Sequence, residues 1–250
     1  GRLKNGRKQE RACWTRLFCY KILLGNTLQR VTMNPRYIVV EGAIGSGKTA
    51  LSRRLAEHFS ALLLSENPDH NPFLMKFYSN VSNNGLAAEL FFLTRRAESV
   101  NIIEDQCAQG GMVVADFLPE KDRIFTPIVL NDDEQQLFAD MKQRILPQYA
   151  EPDVVIYLQT AVENNRKRLQ KRHEGIISLF PEGYLGRVHD EYSHFFHLYQ
   201  SAPLLTVNAD ELDLAGNDDH FRLGDNDLFG IHRPGIFNMA NGNVVALAPA

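Results

Sequence analysis

A phosphate-binding loop is the clearest chemical feature of the sequence. The pattern Gly-x-x-x-x-Gly-Lys-Ser/Thr is met in full by the segment Gly42-Ala43-Ile44-Gly45-Ser46-Gly47-Lys48-Thr49. Its glycines allow the backbone to fold so that several N–H groups point at one anion. In this pattern Lys48 reaches the β- and γ-phosphates, and Thr49 offers its hydroxyl to Mg²⁺. The loop predicts binding of a nucleoside triphosphate, but kinases, motor ATPases and GTPases all share it.

Two carboxylates follow apolar segments further along the chain. Glu66 comes shortly after 61–64, and Asp116 comes directly after 112–115; both segments are typical of short buried strands. Ligands of an open α/β sheet bind at the carboxyl ends of its strands, so we expect both carboxylates beside the phosphate loop. Asp116 would then lie on the metal side, the alternative being an aspartate that caps a turn.

Short apolar segments alternate with amphipathic ones along the middle of the chain. We predict strands at 37–40, 61–64, 112–115, 154–158 and 204–207, and helices at 50–59, 85–105, 131–145, 162–172 and 184–200. Continuously apolar strands that alternate with helices indicate a parallel sheet covered on both faces. The predicted fold class is α/β, a P-loop NTPase-type three-layer sandwich with about five parallel strands and helices on both faces.

The two ends of the chain differ in composition from its middle. Residues 1–33 hold eight Lys/Arg and one acidic residue, which predicts a basic, disordered N-terminal extension, with an organelle transit peptide as the alternative. Residues 216–250 carry scattered Gly, Asn and Asp without a sustained period, so we expect a poorly ordered tail. The P-loop domain itself is predicted at 34–215.

Composition argues against several functional classes. The formal net charge of -3 gives no global basic field, so no nucleic-acid partner is expected. No apolar run approaches the ~18 residues of a membrane helix, and three cysteines cannot form a disulfide framework. We therefore expect no membrane partner and a location in a reducing compartment, the cytoplasm.

Further motifs follow the phosphate loop in a definite order. They are Ser65-Glu66-Asn67-Pro68, Glu89-Leu90-Phe91-Phe92-Leu93, the stretch from Asp116 to Asp122-Arg123, the basic run 166–172 and Val207-Asn208-Ala209-Asp210-Glu211. With these motifs the segment 37–214 resembles the deoxynucleoside kinase family, especially its bacterial deoxyadenosine/deoxyguanosine kinases. The resemblance implies an enzyme that uses ATP and Mg²⁺ to phosphorylate a nucleoside, chiefly a purine deoxynucleoside, at its 5′-hydroxyl. It also implies a homodimer that pairs through helices.

The resemblance assigns roles to individual residues. Glu66 is the expected general base on the 5′-hydroxyl, while Thr49 and Asp116 lie on the metal side. In the basic run, Arg166 and Arg172 are the expected arginines of a lid over the ATP phosphates. The nucleoside would be held by Tyr78, Glu89, Phe92, Arg96, Asp122 and Glu174.

Spacing supports this nucleoside-binding set. Tyr78, expected at the sugar, lies eleven residues before Glu89, which is expected at the base. Arg96 lies seven residues after Glu89, so both side chains share one helix face. Asp122 falls where the family has an acid that pairs with this arginine, and Glu174 is the candidate near the 3′-hydroxyl. Four phenylalanines would sandwich the base or else belong to the core: Phe73, Phe77, Phe92 and Phe117.

Three features depart from the family pattern. Glu89 stands where the family usually has glutamine, and an ionised glutamate only accepts hydrogen bonds, which suits a base edge with two donors such as that of guanine. An altered base choice or weaker binding is the alternative. The triplet Glu-Arg-Ser is replaced by Asp116-Phe117-Leu118, so Arg123 or the lid is expected to supply the missing cation. Gln170 replaces an arginine that the lid often carries.

Two other functions remain open from the sequence. A nucleoside monophosphate kinase, similar to thymidylate kinase, would need basic residues for a second phosphate, and only Arg95, Arg96 and Arg123 are candidates. A nucleotide-binding partner subunit without turnover would be consistent with the departures at Glu89 and Gln170.

Overall fold

The computed structural model describes residues 20–24, 27–31, 35–79, 81–172, 176–222, 236–240 and 243–247. The chain divides into two units, Gly1–Asn34 and Pro35–Ala250. In the first unit, β1 (Tyr20–Leu24) and β2 (Thr27–Val31) form an antiparallel hairpin. The hairpin falls within the segment where we expected no order, and the rest of that segment up to Asn34 lies outside the described residues. A Gly25-Asn26 pair separates the strands in the sequence, as is typical of two-residue hairpin turns.

The second unit is built around a mostly parallel sheet. Its first five strands are β3 (Tyr37–Gly42), β4 (Leu62–Leu64), β5 (Val113–Ala115), β6 (Val154–Gln159) and β7 (Leu204–Asn208). They run parallel in the order β4-β5-β3-β6-β7, as the continuously apolar segments predicted. Every residue of β3 and β5 is buried. Because successive side chains of a strand point to opposite faces, both faces of the sheet are covered.

Two more strands continue the sheet beyond β7. They are β8 (Ile236–Ala240), parallel to β7, and β9 (Asn243–Leu247), antiparallel to β8. Both lie within 216–250, where the composition predicted a poorly ordered tail; residues 223–235, 241–242 and 248–250 are outside the described part. The sequence carries Asn241-Gly242 between them, a strong hairpin signal that a short pair of strands shows without any sustained period.

Seven helices accompany the strands in the described residues. They are α1 (Lys48–Phe59), α2 (Leu74–Ser79), α3 (Val81–Ala108), α4 (Asp122–Val129), α5 (Asp132–Ile145), α6 (Val162–Arg172) and α7 (Tyr184–His197). Short 3₁₀ turns lie at Pro68–His70 and Ile176–Leu179. The sequence did not predict α2, which is too short to show a period, or α4, which contains Pro127. None of the described helices is both long and apolar enough to cross a bilayer.

The register of the sheet positions the polar residues that follow its strands. Ala115 pairs with Val39 on one side and with Leu64 on the other. The residues after β3, β4 and β5 therefore emerge at the same edge of the sheet. The phosphate loop, Glu66 and Asp116 all lie at this edge.

Candidate active site

The phosphate loop joins β3 to α1 through left-handed glycines. Gly45 has a φ of 87° and Gly47, the N-cap of α1, has a φ of 98°, a conformation that side chains disfavour. A Cβ on Gly45 would also lie 2.9 Å from the carbonyl oxygen of Asn165 on α6. Lys48 is partly buried. Burial lowers the pKa of its ammonium and the nearby Lys121 lowers it further, while the carboxylates of Glu41, Asp116 and Glu66 oppose this shift.

Asp116 links the phosphate loop to the segment after β4. Its Oδ2 accepts hydrogen bonds from Thr49 Oγ1 at 2.8 Å and from Ser65 Oγ at 2.6 Å. Its Oδ1 accepts a hydrogen bond from the backbone N–H of Glu66 at 2.8 Å. The structure thus brings Thr49, Asp116 and Glu66 together, as the strand ends predicted.

These oxygens suit a magnesium ion. Mg²⁺ in phosphoryl-transfer sites is commonly held by one or two carboxylates together with substrate phosphates and water. Asp116 supplies the carboxylate and Thr49 the hydroxyl, and the two atoms already touch. No group of three or more His, Cys, Asp or Glu residues in the described ranges forms a cage of its own. The donor set therefore fits a metal that completes its shell from phosphate oxygens.

Glu66 lies in a partly buried chain of charges. Lys121 Nζ donates to Glu66 Oε2 at 2.7 Å and lies 3.6 Å from Glu41 Oε1. Glu41 is fully buried at the end of β3, where its carboxylate also accepts hydrogen bonds from Gly42 N, Leu118 N and Tyr192 Oη. Neither Glu41 nor Lys121 is predicted as a site residue from the sequence. Arg123, which it offered as the missing cation, is exposed and its guanidinium lies 5.4 Å from the Phe195 ring.

A second buried cluster surrounds Arg96 on α3. Its guanidinium lies 3.7 Å from Glu89, and 3.8 Å from both Glu66 and Asp122. Lys142 on α5 pairs with Asp122 at 2.7 Å. Arg96 Nη1 and Asp122 Oδ1 are buried without a hydrogen-bond partner among the described residues, because 3.8 Å is too long for a hydrogen bond.

Glu89 has an unusual electrostatic environment within this cluster. Only 6% of its surface is exposed. Burial raises the pKa of Glu89 to about 7; Arg96 opposes the shift, and the neighbouring carboxylates of Glu66 and Asp122 add to it. Near neutral pH the carboxyl therefore exists in both protonation states. When protonated it has one donor and one acceptor, as glutamine does, and when ionised it only accepts.

Aromatic side chains lie near the polar cluster. Tyr78 packs edge-on against Phe180 with ring centroids 4.6 Å apart, and it also contacts Tyr184. Burial raises the pKa of Tyr78, so its hydroxyl remains protonated. Of the four phenylalanines proposed for the base, two are core residues and two are only partly buried. The core pair is Phe77 and Phe117, and the partly buried pair is Phe73 and Phe92.

The basic run lies on α6, next to the phosphate loop. Arg168, which the sequence did not single out, donates to the carbonyl of Ser46 at 3.2 Å and to that of Ala209 at 2.8 Å. Arg166 is half-buried on the same helix. Arg172 is the last residue of α6, and Glu174 lies outside the described residues. The rotation of α6, which the sequence could not supply, decides which of these arginines meets the loop.

Comparison with known proteins shows the family of the chain. The sequence pattern described as "Deoxynucleoside kinase" matches residues 38–223. The chain belongs to the deoxynucleoside kinase family. Among its relatives, deoxyguanosine kinase of Bacillus subtilis (strain 168) is 27% identical over 190 residues, which is 74% of this chain and 92% of that protein. Deoxyadenosine/deoxycytidine kinase of the same organism is 25% identical over 188 residues, 72% of this chain and 86% of that protein.

Solved structures support the fold of this kinase. Deoxyadenosine kinase from M. mycoides with bound dATP superposes with a TM-score of 0.64 at 19% identity, covering 76% of this chain and 97% of that chain. The expected α/β fold, the family resemblance and the expectation of a kinase enzyme are thereby confirmed.

Proposed function

We propose that this kinase uses Mg²⁺ and ATP to phosphorylate the 5′-hydroxyl of a purine deoxynucleoside, giving the 5′-monophosphate for nucleotide salvage. One observation carries the proposal: Glu66 is bonded through its own N–H to Asp116, which holds Thr49 of the phosphate loop. The backbone of Glu66 and the end of the phosphate loop are thus tied to the same Asp116 carboxylate, which supports a proton acceptor next to the phosphates. The relatives named as deoxyguanosine and deoxyadenosine kinases support the purine choice.

Each part of the site has a defined task in this reaction. Residues 42–49 hold the phosphates through backbone N–H groups and Lys48. Thr49 and Asp116 would hold Mg²⁺, which when bound neutralises charge on the phosphate oxygens. The 5′-oxygen of the nucleoside attacks the γ-phosphorus while Glu66 accepts the proton of the 5′-hydroxyl, and ADP leaves. Arg166 and Arg172 would close over the transferring phosphoryl group.

The nucleoside would occupy the space next to the Arg96 cluster. We assign Tyr78 and Glu174 to the sugar, and Glu89, Phe92, Arg96 and Asp122 to the base. Arg96 is surrounded by three carboxylates, Glu66, Glu89 and Asp122. Arg96, Lys121 and Lys142 each lie within 4 Å of a carboxylate. Because these cations are already engaged, they are poorly placed to hold a second phosphate, which disfavours a monophosphate acceptor. Comparing deoxyadenosine with dAMP and dTMP as acceptors tests this choice.

We also propose that the kinase is a cytoplasmic homodimer. Ile102 on α3 and Leu137 on α5, two helices that pack together, are each about half exposed. Exposed aliphatic residues on adjacent helices are suited to a helical dimer interface. Light scattering after size exclusion should give twice the monomer mass, and Leu137→Lys should shift it toward the monomer.

The general-base role of Glu66 gives a direct test. Glu66→Gln preserves shape and removes the proton acceptor, so kcat should fall by about 10²–10⁴-fold with deoxyadenosine or deoxyguanosine. ADP release and nucleotide formation measure it. Glu98→Gln, which changes an exposed carboxylate on α3, is the matched control and should keep wild-type kcat. Near wild-type kcat for Glu66→Gln would refute the assignment.

A further inference from the structure

Lys121 has no role in the proposed reaction, yet it is placed at its centre. It is 4% exposed, and its ammonium contacts the Glu66 carboxylate at 2.7 Å. The position lies directly before α4, inside the stretch from Asp116 to Asp122-Arg123, where the sequence pattern assigned no role to Lys121 itself. Phe117 and Leu118, which replace the expected arginine and serine, are fully buried apolar residues and cannot supply a cation.

Glu41 fixes the ammonium of Lys121 from the other side. Its carboxylate is held by two backbone N–H groups and the Tyr192 hydroxyl, at 3.0 to 3.1 Å, so it cannot turn without breaking three hydrogen bonds. Burial alone would lower the pKa of Lys121, but Glu41 and Glu66 outweigh this effect and raise it. The residue is therefore a charged ammonium held between two carboxylates.

Arg96 is the competing cation for Glu66. Its Nε lies 3.8 Å from Glu66 Oε1, and the same guanidinium is shared with Glu89 and Asp122. Without Lys121, the Glu66 carboxylate would be free to turn fully toward Arg96. We propose that Lys121, fixed by Glu41, is the positioning residue that holds the Glu66 carboxylate at the acceptor hydroxyl and away from Arg96.

This inference rests on the proposed role of Glu66. During transfer, the proton of the 5′-hydroxyl passes to Glu66, and Lys121 keeps its own protons while stabilising the carboxylate orientation. Lys121 therefore takes the place for which the sequence analysis had expected Arg123 or the lid. Because the effect concerns orientation rather than nucleoside contacts, it should appear in kcat and not in KM.

Three single variants test the role in the full-length kinase. Lys121→Met should lower kcat by about 10²-fold, with the KM for the deoxynucleoside unchanged within about threefold. Lys121→Arg, which keeps a cation of similar reach, should restore kcat to within about tenfold of wild type. Arg123→Met, two residues away and exposed, should keep wild-type kcat. If Lys121→Met leaves Glu41 unpaired and the protein unfolded, Lys121→Gln replaces it with the same expected kcat.

A double variant shows whether Lys121 acts through Glu66. The Glu66→Gln/Lys121→Met protein should be no slower than Glu66→Gln alone, because both changes disable the same group. The inference would be overturned if folded Lys121→Met kept wild-type kcat or showed a raised KM with unchanged kcat. It would also be overturned if Lys121→Arg gave no rescue, or if the losses in the double variant were additive. A fast Glu66→Gln protein would instead overturn the proposed function itself, so the two failures are distinguishable.

Discussion

Glu89 should make the stability of this kinase depend on pH in a calculable way. Its pKa is raised from 4.5 to about 7 in the fold by burial. Between these two values the native protein retains a proton that the unfolded chain has released. Stability from this group is therefore fully present below the unfolded pKa and is lost as the pH rises through 7.

The size of the effect follows from the shift. Between pH 5.5 and 8.5 the native carboxyl passes through its pKa of about 7. The native pKa of about 7 lies about 1.5 pH units above pH 5.5. Each pH unit in which only the native state holds the proton corresponds to about 1.36 kcal/mol, so the free energy of unfolding of wild type falls by about 2 kcal/mol over this range. Glu89→Gln cannot titrate and lacks this loss. Its free energy of unfolding relative to wild type should therefore rise by the same amount over this pH range.

Urea denaturation followed by far-UV circular dichroism measures this difference at both pH values. Comparing two proteins at each pH cancels the titration of all other groups to first order. Glu98→Gln, an exposed carboxylate on the same helix, should show a pH-independent difference from wild type. A Glu89→Gln difference that changes by less than about 0.5 kcal/mol would show that Glu89 titrates like an exposed acid, and would refute the buried cluster.

Two further predictions concern substrates. If Glu89 contacts the base, the kcat/KM ratio of deoxyguanosine to deoxyadenosine should rise about tenfold from pH 6 to 8, because the ionised carboxylate accepts two hydrogen bonds. The ratio should stay constant in Glu89→Gln, and a constant ratio in wild type would contradict this role. Arg168→Met should raise the KM for ATP about tenfold and the KM for the nucleoside by less, because Arg168 donates to the carbonyls of both Ser46 and Ala209 and so holds the phosphate loop. Equal changes in both KM values would argue against a local role.

Much of the phosphate-binding half of the site is readable from the sequence. Gly45 and Gly47 adopt left-handed backbone conformations, and the glycines of the motif predict this directly. The contact between Thr49 and Asp116 could be predicted because continuous apolar segments indicate buried parallel strands. The residues that follow parallel strands emerge at the same edge of the sheet. Local pattern and sheet topology are enough here.

Other features depend on information that local patterns do not contain. Lys121 reaches Glu66 because the loop between β5 and α4 is buried against the site. The helix that follows this loop was not predicted, because it contains Pro127. Arg168 faces the phosphate loop because of the rotation of α6, which a run of mixed basic residues leaves undetermined. Glu41 lies near the end of the apolar strand β3, and its role becomes visible only from the hydrogen-bond donors that converge on its carboxylate.

Direct product analysis tests the central claim, transfer of a phosphoryl group from ATP to a 5′-hydroxyl. The kinase is incubated with Mg²⁺, ATP and each of the four common deoxynucleosides, with 2′,5′-dideoxyadenosine as the matched control that lacks the acceptor. Mass spectrometry and ³¹P NMR should find the 5′-monophosphate and ADP in equal amounts, most rapidly from a purine deoxynucleoside, and no phosphorylated product from the control. A phosphate on the 3′-oxygen, or no monophosphate from any of the four substrates, would contradict the account.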